Sequence, residues 1–256
     1  YENLLISIIS PQISLNGVCI TVRKIIDSDI NFLLNNNFAT KEIFDFLISA
    51  INSKKNIVIS GETNSGKTTF LNAILKDILS TKRLVLLENT PQINTKSEQT
   101  MNFLLDENSF HSNSLISNIE KLLPDYILTD LNSPLPQIPE RNGIISTLCT
   151  SSPDSAFAKL VNSCILQDNL PDKNAKQSIL KNYDYIIQLN TIDGVRRISS
   201  IVELTPARTS ALSIKTIATW TNGIYETNFP QPLTSMVAET LYSQAGSMTA
   251  RFSHQN

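Results

Sequence analysis

Residues 61–68, GETNSGKT, constrain this chain more than any other part of it. Two glycines flank four variable positions and are followed at once by Lys67 and Thr68. The stretch stands between the apolar run IVIS and the helical pattern FLNAILKDIL. That is the order strand, glycine-rich loop, helix, which a phosphate cradle requires. Gly61 and Gly66 permit backbone torsions that aim successive N–H groups inward, and the helix N-terminus adds its partial positive charge. Lys67 sets a cation against β- and γ-phosphates, and Thr68 offers a hydroxyl to Mg²⁺. Glu62, Thr63, Asn64, Ser65 and Thr69 complete the expected contact set. ATP and GTP are not separated by these residues, although no Asn/Thr-Lys-x-Asp guanine-reading motif is present.

From Asn56 onward, bounded β-branched runs (NIVIS, RLVLLE, YILTDL, GIISTL, YDYIIQL) alternate with helical patterns: TTFLNAILKDIL, LISNIEKLL, and SAFAKLVNSCIL after the N-cap-like SSPDS. This is the signature of a three-layer α/β domain with a buried parallel sheet. Beyond Thr191 a DG turn at 193–194 joins two strand-like segments and ALSIKTIATW adds a third, predicting an antiparallel extension. PLTSMVAETLYSQAG predicts a last helix closed by Gly246. Residues 1–25 read as short strands around a turn at Leu15-Asn16-Gly17, the edge of a preceding domain. Residues 26–40 read as a linker and 41–256 as the nucleotide-binding domain.

The 256 residues suffice for one large core, and a net charge of −2 indicates no general polyanion-binding surface. Cys19, Cys149 and Cys164 have no metal-binding spacing and cannot all pair within the chain, which favours a reduced compartment. No apolar run reaches membrane-spanning length. The start, YENLLISII, has neither an initiator Met nor a basic n-region, so the sequence is expected to begin inside a longer protein.

A triphosphate cradle needs an acid at the end of a neighbouring strand. Glu88 ends RLVLLE and Asp130 ends YILTD. Either could hold Mg²⁺ through water or poise the attacking water. Smaller signals read as structural. Cys149 is expected to be a buried thiol, and His111 a solvated loop residue. Trp220, Tyr225 and Phe229 read as core or interface aromatics. Arg196 and Arg197 could bind phosphate or a partner; adjacent on a strand, they point to opposite faces, so at most one serves a given site.

The order of these pieces resembles the ATPases of bacterial type II and type IV secretion, and within them the tight-adherence pilus branch. ISPQISLNGVCITVRKI is similar to the strand that closes the family's N-terminal domain, and RLVLLENTPQI to its acidic box. LLPDYILTDL is similar to its Walker B strand, NGIISTLCTSSPDSAFAKL to its histidine box and DGVRRISSIVEL to its C-terminal strands. The resemblance implies a P-loop NTPase with a RecA-like three-layer sandwich, antiparallel C-terminal strands and the end of an N-terminal domain before it. It implies ATP and Mg²⁺ as ligands, with Gly61–Thr69 and Arg23 binding nucleotide. Lys67, Glu88 and Asp130 would serve catalysis, and Thr68 and Asp130 the metal. It further implies a homo-hexamer of the full-length protein, cytoplasmic at the inner face of the bacterial membrane, with secretion or pilus platform proteins as partners and no integral membrane segment.

The departures from the family pattern point the other way on rate. Asn89 and Gln92 stand where the acidic box has acids, and Asp130 is a methylene shorter than the usual glutamate. Asn132-Ser133 replace an Arg-Gly, Cys149 replaces the box histidine, and Lys121 alone stands near a position of the missing arginines. A shortened carboxylate disturbs attack geometry, and lost arginines remove transition-state charge stabilisation. Binding is expected to outlast fast turnover. The competing readings are a catalytically weak nucleotide-binding subunit of such a motor and a DNA-handling ATPase, whose basic channel residues this composition does not show.

Overall fold

The alternating apolar runs become a single sheet whose strands carry two buried faces. The computed structural model describes residues 4–15, 17–24, 26–93, 99–105, 118–130, 143–205 and 213–230. Strands β1 (Leu4–Ile9) and β2 (Cys19–Lys24) form an antiparallel ribbon of their own. The other described strands are β3 (Ile57–Gly61), β4 (Leu84–Glu88), β5 (Thr100–Leu104), β6 (Tyr126–Asp130), β7 (Ile144–Leu148), β8 (Tyr185–Ile192), β9 (Val195–Thr205), β10 (Ser213–Thr221) and β11 (Ile224–Thr227). They form one sheet in the order β11-β10-β9-β8-β3-β7-β6-β4-β5. Pairing is parallel from β8 to β5 and antiparallel from β8 to β11. The expected RecA-like α/β sheet with an antiparallel extension is therefore present, preceded by a β-rich N-terminal region.

Five helices, α1 (Ile30–Asn35), α2 (Lys41–Asn52), α3 (Lys67–Asp77), α4 (Pro153–Asp168) and α5 (Asp172–Asn182), are described. Strand alternation sorts the core into two layers. Ile57 and Ile59 pack on the side of α2 and α3, with Phe44, Leu47, Phe70 and Ile74. Val58, between them, points to the opposite side and packs with Ala156, Leu160 and Ile179 of α4 and α5. Helix α2 is held by apolar residues at three and four spacing, Ile43, Phe44, Phe46, Leu47, Ala50 and Ile51, all buried. Helix α4 starts where the sequence signals it: Ser152 caps the Ser155 N–H, and Pro153 occupies the first turn.

Segment 26–40, expected as a linker, holds α1 and inserts Leu33 and Phe38 into the core, with the Phe38 ring 5.4 Å from that of Phe70. Strand β5 and helix α5 were not anticipated. Helix α5 buries only Ala175, Ile179 and Leu180 among polar residues, too sparse a pattern to stand out. The segment LISNIEKLL is described only from Asn118, where it ends in a 3₁₀ turn at Glu120–Leu122. The expected last helix, His111 and the stretch 131–142 lie outside the described residues.

Candidate phosphate-binding site

Strand β3, buried throughout, delivers Gly61 to the sheet edge. A Cβ on Gly61 would lie 2.3 Å from Ser65 Oγ and 2.7 Å from Leu189 O, so only glycine lets the loop fold back on the strand here. At the far end of the loop Gly66 adopts φ +101° and starts α3 as its N-cap, with no side chain capping the first turn's N–H groups. Buried Lys67 bends back over the loop, and its Nζ donates to Gly61 O and Glu62 O at 2.9 Å each. Burial lowers the Lys67 pKa from the ordinary lysine value, and neighbouring Cys149 and Asp130 oppose that shift.

Strands β4 and β6 run parallel with Glu88 directly opposite Asp130, so both acids end at the same edge. Asp130 is buried and each of its oxygens accepts one hydroxyl: Thr68 Oγ1 donates to its Oδ2 and Thr147 Oγ1 to its Oδ1, each at 2.8 Å. Glu88 is also buried, and its Oε1 accepts the N–H groups of Gln92 and Ile93 at 2.9 Å. Burial pushes the Glu88 carboxyl above its ordinary range; the two N–H bonds hold it down, and Asp130 adds to the rise. The Thr68 hydroxyl and the Asp130 carboxylate are hard oxygen donors side by side, the chemistry that suits Mg²⁺. No cluster of three or more His, Cys, Asp or Glu among the described residues could hold a metal alone. The donor set fits an ion that arrives with phosphate oxygens and water, as Mg²⁺ characteristically does.

The loop opens on a cavity of about 480 Å³. Thr63, Asn64, Gly66, Lys67, Thr68 and Thr69 line it from the cradle. Arg23, which also donates to Gln92 Oε1, lines it from β2. Of the other expected residues, Gly61, Glu62 and Ser65 are not in the cavity's described lining, and Glu88 and Asp130 stand at the neighbouring strand ends. The lining residues not assigned to the site from sequence include Lys24, Gln92 and Arg196. Arg196 follows the Asp193-Gly194 turn, and only the pairing of β8 with β9 brings it to the loop. Cys149 corrects the expectation of a buried thiol. It is half-buried and lines the cavity, with Sγ 3.7 Å from Thr63 Oγ1, because β7 ends beside β3 and carries position 149 to the loop. Lys121 does not line the cavity; its Nζ donates to Asn118 Oδ1.

Comparison with known proteins agrees with this geometry. The family described as Type II/IV secretion system protein matches residues 9–129. Type IV secretion system protein VirB11 of Bartonella henselae is 26% identical over 185 residues, covering 64% of this chain and 50% of that protein. The conjugal transfer protein TrbB of Rhizobium radiobacter is 41% identical over 83 residues, covering 31% of this chain and 25% of its own length. The chain thus aligns with about half the length, or less, of these relatives. In three dimensions, the VirB11 ATPase of the Brucella suis type IV secretion system, solved with sulphate, superposes with a TM-score of 0.55 at 17% identity, covering 78% of this chain and 74% of that one. The pilus retraction motor PilT with bound ADP superposes with a TM-score of 0.52 at 12% identity, covering 96% of this chain and 70% of the other. Both structural likenesses speak to fold. Among the described residues no helix is long and apolar enough to cross a membrane.

Proposed function

We propose that this chain, a member of the type II/IV secretion-system family related to VirB11, binds Mg²⁺ and ATP in the Gly61–Thr69 cradle and hydrolyses ATP slowly. The observation that carries this reading is the junction of Thr68, Asp130 and Lys67 at one sheet edge, with Glu88 beside Asp130. Magnesium, when bound, would neutralise phosphate charge through the Thr68 hydroxyl and the Asp130 carboxylate. Lys67 would exchange its two carbonyl contacts for phosphate oxygens. Asp130 or Glu88 would take a proton from the attacking water, and the raised pKa of Glu88 suits it to accept one nearer neutrality.

Slow turnover is expected from the short side chain of Asp130 and from the neutral Asn89 and Gln92. The full-length protein would form a homo-hexamer, cytoplasmic and peripheral at the inner face of the bacterial membrane, against secretion or pilus platform proteins. Its named relatives serve type IV secretion and conjugal transfer, so a motor of that kind is the favoured setting. The narrower tight-adherence pilus placement rests on the segment ISPQISLNGVCITVRKI.

Nucleotide affinity and steady-state phosphate release, measured together, test the reading. Lys67→Ala is expected to cripple binding, since no other cradle side chain supplies that charge. Asp130→Asn is expected to keep ATP binding through Lys67 and the backbone cradle and to lose hydrolysis, because the amide neither carries the charge that faces Mg²⁺ nor accepts a proton. Turnover of many per second that ignores Asp130 overturns the assignment.

A further inference from the structure

The cavity beside the cradle is strongly one-sided in charge. Among its described lining residues are Lys67 from the loop, Arg23 and Lys24 from β2 and Arg196 from β9, with no carboxylate among them, in a chain whose net charge is −2. Of these, Arg196 is the least explained by the fold. It is exposed, and it makes no hydrogen bond or ion pair with any described residue. Its neighbour Arg197 does the structural work of that strand: it is buried, with its guanidinium 4.1 Å from the centre of the Trp220 ring. Alternation along β9 then sends Arg196 to the opposite face, toward the loop. Its Cδ lies 3.6 Å from the point a Cβ on Gly66 would occupy, so the side chain crosses the mouth of the cradle at the start of α3. A guanidinium whose donors meet no described partner, beside the N-terminus of α3 that no side chain caps, is a fork suited to phosphate oxygens.

We propose that Arg196 is a polyphosphate-binding residue supplied by the same chain, which closes the Gly61–Thr69 cradle over a nucleoside triphosphate from the β9 side. The inference deepens the nucleotide reading above and rests on it. Arg196 adds one cation to the polyphosphate beside Lys67, Arg23 and Lys24. Recognition through the phosphates would extend to a triphosphate chain without a base and would leave nucleoside monophosphates little affected.

The test is a titration of the whole chain with a fluorescent ATP analogue, competed by inorganic tripolyphosphate and by AMP, for wild type, Arg196→Gln and Arg196→Lys. A lost charge-assisted contact predicts about ten-fold or greater weakening for the ATP analogue and for tripolyphosphate in Arg196→Gln. AMP is expected to change little, and Arg196→Lys to recover part of the loss because it keeps the charge without the fork. Thermal unfolding without ligand is expected to match wild type, since Arg196 makes no hydrogen bond or ion pair among the described residues. A wild type that binds tripolyphosphate no better than Arg196→Gln overturns the inference alone. Equal loss for AMP and tripolyphosphate overturns the phosphate assignment. A wild type that binds no ATP, with Lys67→Ala indistinguishable from it, overturns the inference together with the function on which it rests.

Discussion

Asp130 and Glu88 face each other across β4 and β6, yet their surroundings give them different tasks. Both Asp130 oxygens hold a threonine hydroxyl, so its carboxylate is fixed where Thr68 meets the cradle. Restoring the family's longer acid with Asp130→Glu would push the carboxylate past both hydroxyls. The expected result is turnover near that of wild type with lower stability, read from phosphate release and thermal unfolding; a large gain in rate would show that reach alone limits the site. Glu88→Gln has the opposite balance. The amide oxygen can still accept the Gln92 and Ile93 N–H groups, while the buried charge beside Asp130 disappears. The sign with pH follows from the raised pKa. Folding disfavours the charged form, so wild type loses stability relative to Glu88→Gln as pH rises through the ordinary glutamate value of 4.5, and the difference levels off above the raised folded value. Denaturant titrations across mildly acidic pH would read this, and a variant less stable than wild type at neutral pH would contradict it.

At the scale of elements, the junction of β3, the loop and α3 depends on Gly61. An added methyl there meets Ser65 Oγ, which can turn away, and Leu189 O, which belongs to the backbone of β8 and cannot. Gly61→Ala is expected to cost about 1–3 kcal/mol of stability through this overpacking. For a domain of this size that is about 2–4 °C in Tm per kcal/mol. An unchanged Tm would mean that the loop and β8 separate more easily than their contacts imply. This junction was legible in the sequence, since its glycines, lysine and flanking apolar runs are contiguous. So were β4 and β6, because a run such as LVLLE, buried on both faces, leaves no doubt about its element. The elements that escaped were those whose pattern is weak by themselves. Edge strand β5 pairs with β4 only, and TMNFL is half-exposed. The sequence offers Arg196 or Arg197 to phosphate without deciding between them, because the pairing of Thr191 with Arg196 across the hairpin is a tertiary fact. Cys149 was misjudged for the same reason: the lateral placing of β7 against β3 decides its exposure.

Considered as a whole, the molecule has a thick two-layered core around the nine-stranded sheet and a thin ribbon beside it. Register partners Ile8 and Ile20, and Ile6 and Val22, share one face of the ribbon, and all four are exposed. Two strands alone bury too little apolar surface to be independently stable in water. The ribbon should therefore open far more readily than β3 and β7, whose residues are buried throughout. Yet Arg23 and Lys24 at the end of β2 line the phosphate cavity, so the least stable part of the described chain borders the proposed ligand. A ligand that draws on those two side chains binds the ordered ribbon better than the open one, and mass action then shifts the ribbon toward order. Amide hydrogen exchange followed by mass spectrometry should show fast exchange across 4–9 and 19–24 without nucleotide. Exchange there should slow with Mg²⁺ and ATP, while β3 and β7 remain protected in both states. Lys67→Ala should abolish the nucleotide effect and leave the nucleotide-free pattern unchanged. A ribbon as protected as β3 before nucleotide is added would mean that its exposed apolar face is covered in solution, and the coupling argued here would be wrong.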